Sequence, residues 1–139
     1  MLIGEYPHSL DEKGRVFIPA RLREELGGRF IATKGLDGCL FVYSLEEWKL
    51  LEEKIRAMPL SKARNLQRFF FAGAAELESD KQGRVLLPAN LREYAALARD
   101  VMIIGASNRV EIWDKQRWAE LNESVTAESV VEAMETLGF

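Results

Sequence analysis

Short apolar runs closed by a proline occur twice along the chain. Val16-Phe17-Ile18 and Val85-Leu86-Leu87 are β-type runs bounded by turn residues. Pro19 and Pro88 end them, each suited to open a helix at a position where no N–H is required. Good helix formers follow, so short helices are predicted over Ala20–Leu26 and Ala89–Leu97. Further apolar runs predict strands at Phe30–Lys34 and Leu40–Tyr43, then at Val101–Ile104 and Val110–Trp113. Gly35 to Gly38 and Gly105 to Asn108 supply the turns between them. Ser44 with Glu47 reads as a capping box opening a helix that buries Leu45, Trp48, Leu51, Ile55 and Met58, and Asp114 opens its counterpart. Pro59 breaks the chain before an amphipathic stretch, Ser61–Ala72, with Leu66, Phe69 and Phe70 on its apolar side. A last helix is predicted over Ala127–Leu137, with Val130, Val131, Met134 and Leu137 along one side.

The two halves of this pattern are copies of one another. Asp11–Glu24 aligned on Asp80–Glu93 gives identity at nine of fourteen positions: Asp, Gly, Arg, Val, Pro, Ala, Leu, Arg and Glu. Further along, Ile31 meets Val101, Gly35 meets Gly105, Tyr43 meets Trp113 and Trp48 meets Trp118. The chain is an internal duplication. Each copy holds about fifty residues, too few to bury a sufficient core alone. The expected solution is an α+β, mainly β architecture in which two copies pair about a pseudo-twofold axis and close a common barrel with short helices.

The chain has 139 residues, 47% hydrophobic and 29% charged, which suits a soluble globular domain. No apolar run approaches the roughly 20 residues that span a bilayer. The first residues lack the basic start and apolar stretch of a secretory signal, so a cytoplasmic protein is expected. Cys39 is the single cysteine, excluding an internal disulfide, and its apolar surroundings predict a buried hydrophobe.

Net charge is −3, which argues against a nucleic-acid partner until its distribution is considered. Residues 119–139 hold five glutamates and no Lys or Arg, leaving residues 1–118 with 19 basic and 17 acidic side chains, or +2. A nearly neutral body would grip DNA weakly, because phosphate neutralisation supplies most non-specific affinity. Any DNA-binding reading must find affinity elsewhere.

Catalytic chemistry has little to stand on. His8 is the only histidine, and His8, Ser9 and Asp11 are too close in sequence to form a nucleophilic triad. No metal-ligand spacing and no phosphate-cradling glycine loop occur, so no enzyme activity, metal, cofactor or small-molecule substrate is expected. The three tryptophans sit at core-like spacings. The repeated Asp-x-x-Gly-Arg element is turn chemistry: a carboxylate caps backbone N–H groups and the glycine takes a positive φ.

The run Gly-Arg-Val-x-Ile/Leu-Pro-Ala-x-Leu-Arg-Glu, preceded by Asp-x-x-x-Arg and present twice, resembles the MraZ family of the AbrB-like, swapped-hairpin superfamily. The segment Ala63–Leu77, with its three phenylalanines, is similar to that family's bridge, and the resemblance covers roughly residues 1–120. It implies tandem swapped-hairpin halves forming one double-psi-like barrel: a first unit at 4–48, a helical bridge at 49–73, a second unit at 74–119 and an acidic tail at 120–139. It further implies a nucleoid-associated repressor that forms rings of identical subunits and binds short direct repeats upstream of the division and cell-wall gene cluster. An alternative is an antitoxin-like DNA-binding protein whose tail also neutralises a toxin; two hairpin copies and a helical tail argue against it.

In that family the Asp-x-x-x-Arg loops carry the DNA contacts, which here implies Arg15 and Arg84. Arginine presents a planar donor fork that matches the guanine O6/N7 edge. The competing reading is that each arginine only closes its turn onto the preceding aspartate. Asp11, Gly14, Asp80 and Gly83 read as loop-shaping, since a carboxylate repels phosphate. Lys13 faces Gln82 in the alignment, so the first loop is expected to contribute more. Arg21 and Arg23, with Asn90 and Arg92, are candidates for flanking phosphates or for ion pairs with Glu24 and Glu93.

Overall fold

A computed structural model describes residues 1–138; Phe139, the end of the expected acidic tail, lies outside the described residues. Strand β1 (Leu2–Ser9) leads into β2 (Arg15–Phe17), helix α1 (Ala20–Leu26), β3 (Arg29–Lys34), β4 (Leu40–Ser44) and α2 (Leu45–Arg56). The bridge is α3 (Leu60–Leu66) continued by a π-helical turn, Gln67–Phe71. The second copy gives β5 (Ala75–Glu78), β6 (Arg84–Leu86), α4 (Ala89–Tyr94), β7 (Asp100–Ser107), β8 (Val110–Asp114) and α5 (Lys115–Ser124). Helix α6 (Ala127–Glu135) follows, capped at Thr126.

Six strands form one antiparallel sheet in the order β1-β7-β8-β4-β3-β5. The copies exchange strands: β1 of the first pairs with β7 of the second, and β5 of the second pairs with β3 of the first. Strands β2 and β6 pair only with each other, as a separate ribbon. The sheet is therefore open, and the expected closed barrel is not what forms. Pro19 and Pro88 supply the reason: they follow the ribbon strands almost at once, and without an N–H they cannot extend a ladder around the sheet.

The sheet is buried on both faces, which period-two alternation makes visible. Leu40 and Val42, with Ile103 and Ile112, join Val16, Ile18, Val85 and Leu87 in the core beneath the ribbon. Phe41, Tyr43, Ile104 and Trp113 point the other way, into a second core with Ile55, Ala63 and Phe70. Trp48 and Trp118 border that second core, so the tryptophans serve packing. Cys39 is fully buried there, and burial pushes its thiol up to about 12. Glu111 is satisfied by Arg109 at 2.8–2.9 Å and by the Trp113 indole N–H at 2.9 Å.

Several helices differ from expectation: α6 ends at Glu135 rather than Leu137, and Leu45 on α2 is 46% exposed rather than buried. Helix α4 stops at Tyr94 rather than Leu97, and Ala96 then takes a φ of 51°. The predicted Ser61–Ala72 helix changes register at Gln67, where the π turn lets the buried Thr33 hydroxyl donate to the Phe70 carbonyl at 2.6 Å. Ser44 caps α2, accepting the Glu47 N–H at 3.2 Å, but among the described residues no bond from the Glu47 side chain to the Ser44 N–H completes the expected capping box.

Candidate nucleic-acid interface

The Asp-x-x-Gly-Arg loops fold alike. In the first, Asp11 Oδ1 accepts the backbone N–H groups of Lys13 (2.9 Å) and Arg15 (2.8 Å), and Oδ2 accepts Arg15 Nε at 2.6 Å. In the second, Asp80 Oδ1 accepts Gln82 and Arg84 N–H, both at 2.9 Å, and Oδ2 accepts Arg84 Nε at 2.9 Å. Gly14 and Gly83 close the turns at φ values of 85° and 82°. The Arg15 N–H, foremost, with the arginine side chain holds the Asp11 carboxyl below its ordinary range, partly offset by desolvation. Asp80 is lowered in the same way, first by the Arg84 N–H.

The aspartate–arginine closure of each turn thus forms, and it leaves the arginine head available. Each aspartate engages Nε, while neither terminal guanidinium nitrogen of Arg15 or Arg84 has a hydrogen-bond partner among the described residues. Both side chains are about one-third exposed, at 29% and 33%.

The ribbon register decides where these heads point. Arg15 pairs with Leu86, Val16 with Val85 and Phe17 with Arg84. Val16 and Val85 are buried, so Arg15, Phe17, Arg84 and Leu86 share the outward face. Arg15 and Arg84 are diagonal cross-strand neighbours, about 7–8 Å apart. Two loops from opposite ends of the ribbon therefore deliver two guanidinium groups to one patch, between Phe17 and a 55% exposed Leu86. Sequence reading missed Phe17 and Leu86 as members of this face; the signal available was their spacing of two from Arg15 and Arg84.

The remaining candidates separate. Lys13 and Arg21 are exposed, with Lys13 in the first loop and Arg21 on α1. Arg23 is half-buried: its Nε donates to the Ile18 carbonyl at 2.7 Å, and its head lies 5.4 Å from the Phe17 ring centroid. Arg92 donates from Nε to the Leu87 carbonyl at 3.0 Å. Neither forms an ion pair with Glu24 or Glu93 among the described residues. Each instead reaches the other copy's loop. A Cβ built on Gly83 would lie 2.8 Å from Arg23 Cζ, and one on Gly14 would lie 2.7 Å from Arg92 Cζ. His8 packs on Phe17 at 5.2 Å between centroids, and burial lowers its pKa.

Among the described residues, no group of three or more His, Cys, Asp or Glu side chains is placed to hold a metal ion. No helix described is long and apolar enough to cross a membrane.

Comparison with known proteins agrees with the duplicated architecture. The family model described as "MraZ protein, putative antitoxin-like" matches twice, over residues 1–68 and 70–137. A protein of Heliobacterium modesticaldum named Transcriptional regulator MraZ is 62% identical over 139 residues, covering 99% of this chain and 96% of its own. Proteins of the same name from Acetivibrio thermocellus and Syntrophomonas wolfei are 59% and 54% identical, with both chains covered in full. With both repeats matched by the family model and more than half of its residues shared with these relatives, the chain belongs to the MraZ family.

Proposed function

We propose that this chain is a sequence-specific DNA-binding transcription regulator that reads DNA with the outward face of the β2/β6 ribbon. The observation that carries this reading is the pair Arg15 and Arg84, diagonal on one face, each oriented through Nε with its terminal nitrogens unpaired among the described residues. A two-stranded ribbon fits the major groove, and a guanidinium fork on guanine contributes about 1–3 kcal/mol of discrimination. Lys13 and Arg21 take flanking phosphates, with the first loop contributing more than the second. Asp11, Asp80, Gly14 and Gly83 shape the loops. The name carried by the relatives supports regulation of transcription.

Affinity comes from multiplicity. Residues 4–48 and 74–119 act as two units about a pseudo-twofold axis, joined by the bridge, and subunits assemble into a ring. Linked weak sites exceed single-site affinity by roughly 10²–10⁴. Repeated identical loops require repeated identical sites, so the target is a set of short direct repeats. We place it upstream of the division and cell-wall gene cluster, where occupancy by this nucleoid-associated protein represses transcription.

Footprinting of the purified protein on DNA upstream of its own gene tests this. Protection of evenly spaced short blocks is expected, and Arg15→Ala should erase it without changing oligomer mass. Protection that survives Arg15→Ala and Arg84→Ala together would refute the assignment.

A further inference from the structure

Phe17 and Leu86 hold the same position in the two copies, yet the fold treats them differently. Both lie on the outward face of the ribbon, Phe17 opposite Arg84 and Leu86 opposite Arg15. The Phe17 ring is engaged inside the protein. His8 packs on it at 5.2 Å between centroids, the Arg23 head lies 5.4 Å from its centroid, and a Cβ on Gly83 would fall 2.9 Å from its edge. The surroundings of Leu86 differ. The counterpart of His8 is Leu77, which packs against the core instead. The three atoms nearest a Cβ on Gly14 all belong to Arg92, so the shorter leucine side chain does not tuck under the first loop as Phe17 does under the second. Leu86 is left 55% exposed.

A single exposed leucine is ordinary on a protein surface. This one stands between two arginines whose terminal nitrogens have no partner among the described residues. Direct cross-strand pairing sets its Cβ about 4.5–5.5 Å from that of Arg15. Two residues along the same strand separate it from Arg84, about 7 Å. Bases stack about 3.4 Å apart, so the leucine falls within about two base pairs of a guanine held by either arginine. The major groove presents an alkyl group beside its donors and acceptors, the thymine C5 methyl, and apolar side chains recognise it by contact.

We propose that Leu86 is a specificity-determining residue that packs on the C5 methyl of a thymine within about two base pairs of a guanine read by Arg15 or Arg84. This role rests on the ribbon reading DNA as proposed above. It gives the second copy a base contact that the first lacks, because Phe17 is already packed. Withdrawing one methyl group from water corresponds to roughly fourfold in affinity.

Uracil substitution tests it. Thymines in the footprinted duplex are replaced one at a time by uracil, which keeps the hydrogen-bonding groups of the base and removes only the methyl. Wild-type affinity should fall about fourfold at one thymine in each repeat and hold at the others. Leu86→Ala should bind the thymine and uracil forms of that position alike, while Leu86→Met, still apolar, should keep the preference. A thymine preference that survives Leu86→Ala would overturn the contact. So would wild-type protein that prefers its site yet shows no thymine preference anywhere within it. Loss of oligomer mass in Leu86→Ala would place the leucine between subunits and overturn the contact too. Wild-type protein with no site preference at all would overturn the DNA reading itself, and the role of Leu86 with it.

Discussion

The guanidinium of Arg92, from the second copy, fills the space beside Gly14 of the first copy's loop. A Cβ on Gly14 would lie 2.7 Å from both Cζ and Nε of Arg92, and Nε is anchored by the Leu87 carbonyl at 3.0 Å. Gly14 also sits at φ 85°. Gly14→Ala therefore meets two costs: about 1–2 kcal/mol for the left-handed backbone and about 1 kcal/mol for displacing an anchored arginine. Thermal unfolding should show a loss of about 2–3 kcal/mol. Adding Arg92→Ala should remove the second part, so the double variant is less than additive. Strict additivity would show that the arginine does not buttress the loop. Gly83 and Arg23 form the mirror pair and should behave alike.

The two reading loops differ at one position that salt dependence resolves. Lys13 is exposed in the first loop, and Gln82 is its counterpart. A lysine on phosphate adds counterion release but no base discrimination, whereas Arg15 contributes discrimination. Lys13→Gln should weaken specific and non-specific DNA alike and reduce the slope of log K against log salt by about one for each engaged loop. Arg15→Ala should instead remove preference for the specific site. An unchanged slope in Lys13→Gln would take that lysine off the phosphates.

What the sequence disclosed and what it hid divide by range. Asp11, Gly14 and Arg15 lie within one turn, so their hydrogen bonding follows from local chemistry and was readable, as were the apolar runs that form β4 and β8. The contact of Arg92 with Gly14 joins two copies, and nothing beside either residue announces it. Arg23 consequently read as a phosphate or ion-pair candidate, although the fold ties it to Ile18 and sets it over the second loop. The expected barrel failed for a related reason. Duplication says that two halves share a core, but ladder closure depends on strand length, and the ribbon strands have three residues each.

Acid should loosen the loops before it touches the apolar core. Asp11 and Asp80 have folded pKa values below their ordinary 3.8. Their stabilisation is complete above that value and is lost as pH falls through the lower folded one. His8, also lowered by burial, adds a term present above its ordinary 6.5 and lost below it. Replacing both aspartates by Asn removes the carboxylate contribution at every pH. Urea unfolding of that double variant should therefore lose less stability between about pH 5 and pH 2 than wild type does. Parallel curves would show that the loop carboxylates carry no linkage.

Thr33 and Phe70 offer a test of why the bridge adopts a π turn. Thr33 is fully buried, and its hydroxyl donates to the Phe70 carbonyl at 2.6 Å across 37 residues of sequence. In Thr33→Val the shape is nearly kept, but the buried carbonyl loses its side-chain donor, a cost of about 1–3 kcal/mol. Thr33→Ser keeps the donor and gives up a methyl group, a cost of about 1 kcal/mol. Urea unfolding should consequently rank wild type above Ser and Ser above Val. A loss in Thr33→Ser with none in Thr33→Val would mean that the methyl group matters at this position and the hydrogen bond does not. DNA affinity measured well below the unfolding transition should not move in either variant, because Thr33 lies on β3 and the arginines lie on the separate ribbon.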